Sequence, residues 1–208
     1  LISTIQPNIH LADKHNPDFD KTNLATLIEL TKQHVSDNVE LIFWPESSTP
    51  DFFLQNKPHY KNKVLQVLPT PATRLITGTT FYKKRIDDYL YFNSVAEISY
   101  DGSVKKYHKV RPVPMAEYIP LSDLFPKLKK LNFGQANFEP GVDYTMFQIG
   151  DFSFATMVCM ESTFPNLSRK FVKKGAQFLS YVVNDGWYET APEPQQHAQQ
   201  SIYRAVET

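Results

Sequence analysis

Apolar positions along the chain fall into short continuous runs and into stretches with helical spacing. Leu1-Ile2-Ser3-Thr4-Ile5 opens as a strand that runs to about Gln6 and breaks at Pro7-Asn8. A polar loop follows. From Asp20 the positions Leu24, Leu27, Ile28, Thr31 and Val35 recur at helical spacing, and Asp20 or Thr22 can cap that helix. Val39 to Trp44 is an apolar run of strand length ended by Pro45, and such a run suits a sheet buried on both faces. Residues 50–72 are aromatic, polar and Pro-bearing, with a helix predicted at Tyr60–Leu68. Leu75–Tyr82 and Leu90–Ile98 read as strands, and Asp101-Gly102 is a hairpin turn feeding Val104–Lys109.

Pro112, Pro114 and Pro120 exclude regular structure in the next stretch. Residues 121–141 form a long excursion with a basic patch at Lys127, Lys129 and Lys130. Asp143–Ile149 and Phe152–Cys159 form a second hairpin across Gly150-Asp151. Pro165–Lys174 reads as a helix with Pro near its start and Gly175 beyond its end. Gln177–Val183 is a further strand, and Pro194–Glu207 a helix with Ala198, Ile202 and Ala205 facing inward. Strands and helices alternate while hairpins intervene, which predicts an α/β (α+β layered) domain with a mixed sheet. No internal repeat interrupts it.

Composition narrows the class. The chain has 208 residues, enough for one domain with a full core. Lys+Arg and Asp+Glu both number 22, so no global charge attracts a polyanion, and a nucleic-acid partner is not expected. The cluster Lys105–Arg111 is too short to change that. One cysteine, Cys159, excludes an internal disulfide and a cysteine-cage metal site. No apolar run approaches the roughly 18 residues that span a bilayer. The chain starts without Met and ends inside a helical pattern, which reads as part of a longer protein.

Three polar residues sit at strand ends, where sites in layered α/β folds gather. Glu46 follows Trp44-Pro45, Lys109 follows Val104–His108, and Cys159 follows Phe152–Val158. Taken singly, each has an ordinary reading: a loop carboxylate, a solvated lysine, a small buried thiol. Together they supply a nucleophile for acyl carbon, a proton acceptor and an oxyanion stabiliser. A base at Glu46 calls for a partly desolvated carboxylate. His108 and His197 are the histidines in promising contexts for the weaker alternative, a papain-like Cys-His dyad. No phosphate-binding glycine loop and no His/Asp/Glu cluster with metal spacing occurs, so no cofactor is called for.

The order Glu…Lys…Cys, in the contexts Phe43-Trp44-Pro45-Glu46, Tyr107-His108-Lys109 and Cys159-Met160-Glu161, resembles the carbon-nitrogen hydrolase (nitrilase) superfamily. Within it the chain is most similar to the apolipoprotein N-acyltransferase family. The similarity rests on Gln6-Pro7-Asn8-Ile9, on Lys109-Val110-Arg111-Pro112-Val113-Pro114-Met115-Ala116-Glu117-Tyr118-Ile119-Pro120, and on Asn184-Asp185-Gly186-Trp187-Tyr188 with Gln196-His197 and Arg204-Ala205-Val206-Glu207-Thr208.

The resemblance implies a nitrilase-like α-β-β-α sandwich, with 1–208 as one partial catalytic domain lacking its last strands and its flanking transmembrane segments. It implies a phospholipid acyl donor, a Cys159 thioester, and the N-terminal amine of an S-diacylglyceryl-cysteine apolipoprotein as acceptor. The site would face the periplasm at a bacterial inner membrane. Glu46 would be the base, Lys109 with the Met160 N–H the oxyanion donors, Glu117 the residue orienting Lys109, and Glu161 the brace of the Cys loop. The chain departs from the family pattern at Met160, where Tyr is common, at Ala116, where Gly is usual, and near His15, where a Trp is often found. Asp51-Phe52-Phe53-Leu54 and Leu121–Phe138 are candidate segments lying near lipid. The alternatives are a soluble amidase using the same three residues on a small amide, and a catalytically dead binding domain.

Overall fold

Leu41-Ile42-Phe43-Trp44 alternates not between core and solvent but between two cores. Leu41 and Phe43 join one apolar cluster, Ile42 and Trp44 the other. Strands Arg74–Lys84 and Tyr89–Ser99 divide in the same way, with Leu75, Ala96 and Ile98 on one side and Ile76 and Val95 on the other. A sheet apolar on both faces must be covered twice, and the computed structural model shows what covers it. It describes residues 1–14, 16–86, 88–120, 137–187 and 192–208.

Five strands, β1 (Ile2–Thr4), β2 (Leu41–Trp44), β3 (Arg74–Lys84), β4 (Tyr89–Ser99) and β5 (Val104–His108), form one sheet in that order. β1, β2 and β3 pair in parallel, while β3, β4 and β5 pair antiparallel. A second sheet holds β6 (Phe147–Ile149), β7 (Phe152–Val158) and β8 (Phe178–Val182), with β6 antiparallel and β8 parallel to β7. Helices α1 (Leu11–Lys14), α2 (Asp20–His34), α3 (Phe53–Asn56) and α4 (Pro58–Leu65) precede β3; α5 (Pro165–Lys173) and α6 (Glu193–Glu207) flank β8.

The first core lies where Leu24 and Leu27 of α2, Phe53 of α3 and Val64 of α4 meet Ile42, Trp44, Leu75 and Ile98. Each such side chain contributes about 1.5–3 kcal/mol when fully buried. The Trp44 indole N–H donates to Thr31 Oγ1 at 2.9 Å, so the one polar atom of that ring is satisfied inside the core. The second core joins the two sheets: Leu41, Ile76, Val95 and Tyr107 meet Phe147, Phe154, Met157 and Val158. Leu167 and Phe171 of α5 complete it, with Phe171 edge-on to Tyr107. This is the layered, mixed-sheet arrangement expected from the sequence.

Two expectations are corrected. The helix expected at Tyr60–Leu68 begins at Pro58, whose fixed φ suits a first turn, and ends at Leu65. Helix α6 turns its polar side inward: His197 and Arg204 are its buried residues, while Ala198, Ile202 and Ala205 are exposed. The reason is what α6 covers. It packs on the turn of residues 159–163, whose backbone groups need polar partners, and Ala198 and Ala205 line a cleft of about 810 Å³ beside β8. The loop after β1 also holds helical turns, α1 and Pro17–Phe19, that the apolar pattern does not reveal. Lys127, Lys129 and Lys130, His15, Tyr188 and most of Leu121–Phe138 lie outside the described residues. Phe53 of the proposed lipid-facing segment is fully buried in the first core.

Candidate active site

Glu46 stands one residue beyond β2 and Pro45, in a turn held against β3. Gly78 N–H donates to Pro45 O at 3.1 Å, and Ser48 N–H donates to Gly78 O at 3.3 Å. A Cβ on Gly78 would sit 2.7 Å from Ser47 N and 2.8 Å from Pro45 O, so only glycine lets the strand approach this turn. Ser47 itself takes a positive φ of 45°. The consequence is a buried Glu46 side chain, as a desolvated base requires.

Lys109 follows β5. Its backbone N–H donates to Asn93 O at 2.8 Å, and its own carbonyl accepts from Gly141 N–H at 2.8 Å, which leaves the side chain aimed inward. Lys109 is 1% exposed. Its Nζ lies 2.7 Å from Glu117 Oε2 and 4.0 Å from Glu46 Oε1. Burial pulls the ammonium's pKa down, but Glu46, Glu117 and the Cys159 sulfur together outweigh it and the pKa is raised, so Lys109 stays charged. Glu117 is fixed in turn by Val113 N–H at 2.7 Å. The Pro-rich stretch between them is thus a turn that brings a carboxylate back onto the lysine eight residues before it.

Asn93, on β4, was not singled out in the sequence. Its Nδ2 donates to Glu46 Oε1 at 2.9 Å and to Glu117 Oε1 at 2.7 Å, bridging the two carboxylates. In the sequence it is one polar interruption of the run Leu90–Ile98; the fold buries it. Lys14 was missed as well. Its Nζ donates to Glu46 O at 2.6 Å, and burial lowers its pKa to about 8 against the opposing pull of Glu46 and Cys159. It lines a cleft of about 460 Å³ with Ser47, Thr49, Phe52, Tyr91 and Phe138.

Cys159 follows β7 and begins the short helix Cys159–Thr163, with a φ of 49°. A left-handed conformation in a non-glycine residue costs about 1–3 kcal/mol and persists only where surroundings impose it. Glu161 is part of that surrounding. It is fully buried; its Oε1 accepts from Tyr107 Oη at 2.8 Å, Val110 N–H at 2.8 Å and Arg111 N–H at 3.0 Å, and its Oε2 accepts from Val158 N–H at 2.9 Å. One carboxylate therefore ties the cysteine turn to the segment just after Lys109. Burial raises the Glu161 pKa, and these hydrogen bonds oppose it.

The Cys159 thiol is half-buried, and burial followed by the Glu46 charge pushes its pKa well up. Lys109 and the Met160 N–H pull the other way. Glu46, Lys109 and Glu117 all bear electrostatically on the sulfur, although they come from β2, β5 and the turn after it. Asn184 N–H donates to Glu46 Oε2 at 3.1 Å, so the segment after β8 reaches the same carboxylate.

The two histidines part ways. His108 pairs with Ser94 Oγ through Nδ1 at 2.7 Å and stacks on Phe92; burial lowers its pKa to about 4. His197 does approach the cysteine. A ring nitrogen of His197, a carboxylate oxygen of Asp185 and the Cys159 sulfur all lie within 4.8 Å of one another. Spacing in the sequence gave no hint of this trio, because the fold alone assembles it. Its imidazole nitrogens are already engaged, Nδ1 by Asp185 Oδ1 at 2.8 Å and Nε2 by Ser162 Oγ at 3.0 Å.

Comparison with known proteins places this geometry in context. The family model described as Carbon-nitrogen hydrolase matches residues 1–208. Apolipoprotein N-acyltransferase from Geobacter metallireducens is 31% identical over 208 residues, covering 99% of this chain and 40% of that protein. Its namesake from Thermotoga maritima is 36% identical over 209 residues, covering 100% of this chain and 37% of that protein. The chain thus spans about two fifths of the curated relatives it matches. Among solved structures, an amidase of the nitrilase superfamily from Nesterenkonia AN1 superposes with a TM-score of 0.65 at 15% identity, over 99% of this chain and 71% of that one. A carbon-nitrogen hydrolase from Helicobacter pylori G27 gives 0.61 at 19% identity, over 99% and 67%. Both share the fold.

Proposed function

The chain belongs to the carbon-nitrogen hydrolase family, and on that premise we propose that residues 1–208 are the catalytic domain of an apolipoprotein N-acyltransferase. The observation that carries this reading is the match to relatives of that name along the whole chain at 31–36% identity. The amidase likeness, at 15%, speaks only for the fold.

In the first step Cys159 Sγ attacks the ester carbonyl of a phospholipid while Glu46 takes the thiol proton. The oxyanion of the tetrahedral intermediate rests on Lys109 Nζ and the Met160 N–H, which already act on the sulfur electrostatically. The carbon–oxygen bond breaks, Glu46 returns its proton to the leaving alkoxide, and the acyl group stays as a thioester. In the second step the free amine of an S-diacylglyceryl-cysteine attacks the thioester. Glu46 takes the amine proton and passes it to the departing sulfur. Glu117 and Asn93 hold Lys109 and Glu46 in register throughout. The cleft lined by Phe52, Tyr91, Phe138 and Lys14 combines aromatic surface with an ammonium, the pairing an amphiphilic donor needs. The donor and acceptor imply a site at the periplasmic face of a bacterial inner membrane. No helix among the described residues is long and apolar enough to cross one.

The test is intact-mass spectrometry of the full-length protein after incubation with phospholipid, then with a diacylglyceryl-cysteine peptide. The expected result is one acyl adduct on Cys159 that moves to the peptide amine, and no adduct on Cys159→Ala. Hydrolysis of small amides without acyl transfer would instead make the chain an amidase; a folded enzyme taking no acyl group would make it a binding domain.

A further inference from the structure

Behind the cysteine turn lies a buried polar unit that the two-step scheme does not use. His197 is 6% exposed and Arg204 5%. Both point from α6 onto the Cys159–Thr163 turn: His197 Nε2 pairs with Ser162 Oγ at 3.0 Å, and Arg204 Nη1 donates to Ser162 O at 3.0 Å. Asp185, anchored beyond β8, pairs with His197 Nδ1 at 2.8 Å, and its carboxylate lies within 4.8 Å of the sulfur. A carboxylate at that distance disfavours a thiolate unless a cation offsets it.

We propose that His197 is a positioning residue for the nucleophile: as an imidazolium it neutralises Asp185 beside the Cys159 sulfur and ties the strained cysteine turn to α6. The inference rests on Cys159 being the nucleophile of the reading above. Three features converge on it. The Asp185 hydrogen bond, ahead of the opposing burial, raises the His197 pKa and favours the charged ring. The left-handed φ of Cys159 needs an external hold, and His197 grips Ser162 in the same turn. The apolar side of α6 faces away from the turn, so its contact with the turn is polar. The ionisable groups bearing on His197 are Asp185 and Glu193; around the sulfur stand Glu46, Lys109, Glu117 and Lys14, with Asp185 and His197 within 4.8 Å.

Alkylation of Cys159 by iodoacetamide tests this without any acyl donor, so its failure is separable from failure of acyl transfer. His197→Gln leaves Asp185 uncompensated and is expected to slow alkylation about tenfold at pH 6, one unit of thiol pKa. Above the His197 pKa the wild type has lost the same charge, and the two rates should converge to within about twofold at pH 9. The double variant Asp185→Asn/His197→Gln removes the carboxylate too and should recover most of the wild-type rate, a rescue that a purely architectural role does not give. A single variant within about twofold of wild type at pH 6, or a double variant no faster than the single, overturns the proposal. If His197→Gln does not fold, the wild type alone decides. Its alkylation rate should inflect at the pH where the His197 ring proton titrates by NMR, and a profile without that inflection refutes the assignment.

Discussion

At the scale of the residue, the site is a cluster of charges largely withdrawn from water. Lys109 is a buried ammonium between Glu46 and Glu117, 4.0 Å and 2.7 Å away. Replacing it with Met removes an oxyanion donor and leaves two carboxylates facing each other across Asn93. Lys109→Met should slow thioester formation by about 10²–10³-fold, equivalent to roughly 3–4 kcal/mol of barrier. Single-turnover acyl capture measures this, and a rate within twofold of wild type removes Lys109 from the mechanism. His108 makes a different prediction, about stability. Its folded pKa is about 4 against an ordinary 6.5. Between those values the unfolded chain binds a proton that the folded one refuses, so stability is full above about pH 6.5 and falls as pH drops through the window. From pH 7 to pH 5 this single group should cost about 1 kcal/mol, since solvent reaching the partly exposed ring screens part of the effect. Urea midpoints of the wild type and of His108→Gln at both pH values give the difference; equal pH slopes would refute it.

At the scale of the element, turns position the chemistry and strands only deliver the chain to them. Gly78 is the plainest case. The strand β3 must pass against the backbone of Pro45, Glu46 and Ser47. Gly78→Ala should push the Glu46 turn away, destabilising the fold by about 1–3 kcal/mol and cutting acyl capture by more than the stability loss accounts for. Thermal unfolding and single-turnover capture on the same sample separate the two effects, and capture at the wild-type rate would refute the coupling.

Much of this level was legible. Strand-length apolar runs, Pro165 and Gly175 around α5, and the Asp101-Gly102 hairpin all register local physics that the chain carries with it. Glu46, Lys109 and Cys159 stand out because each follows a strand. What stayed hidden depends on tertiary partners. Asn93 looks like any polar interruption until two carboxylates arrive from other elements. Lys14 sits on a four-residue helix too short to show a period. The inward face of α6 was misassigned because apolar spacing is a guide only when the surface being covered is apolar, and here it is a turn rich in backbone polar groups.

At the scale of the whole molecule, two sheets bring segments more than a hundred residues apart onto one carboxylate. Glu46 leaves the five-stranded sheet, and Asn184 leaves the three-stranded one, to meet at 3.1 Å. The core joining the sheets, from Leu41 and Val95 to Phe154 and Met157, is therefore what sets the separation of Glu46 and Cys159. The sulfur's surroundings have a further outcome. Burial and the Glu46 charge favour the protonated form of the Cys159 thiol. Peroxides and stray disulfides react with thiolates, so the idle side chain is shielded from sulfenic acid formation and mixed-disulfide capture. In the proposed scheme the departing proton goes to Glu46 once a carbonyl is within reach of the sulfur, so a solitary cysteine can rest protected and still be called on.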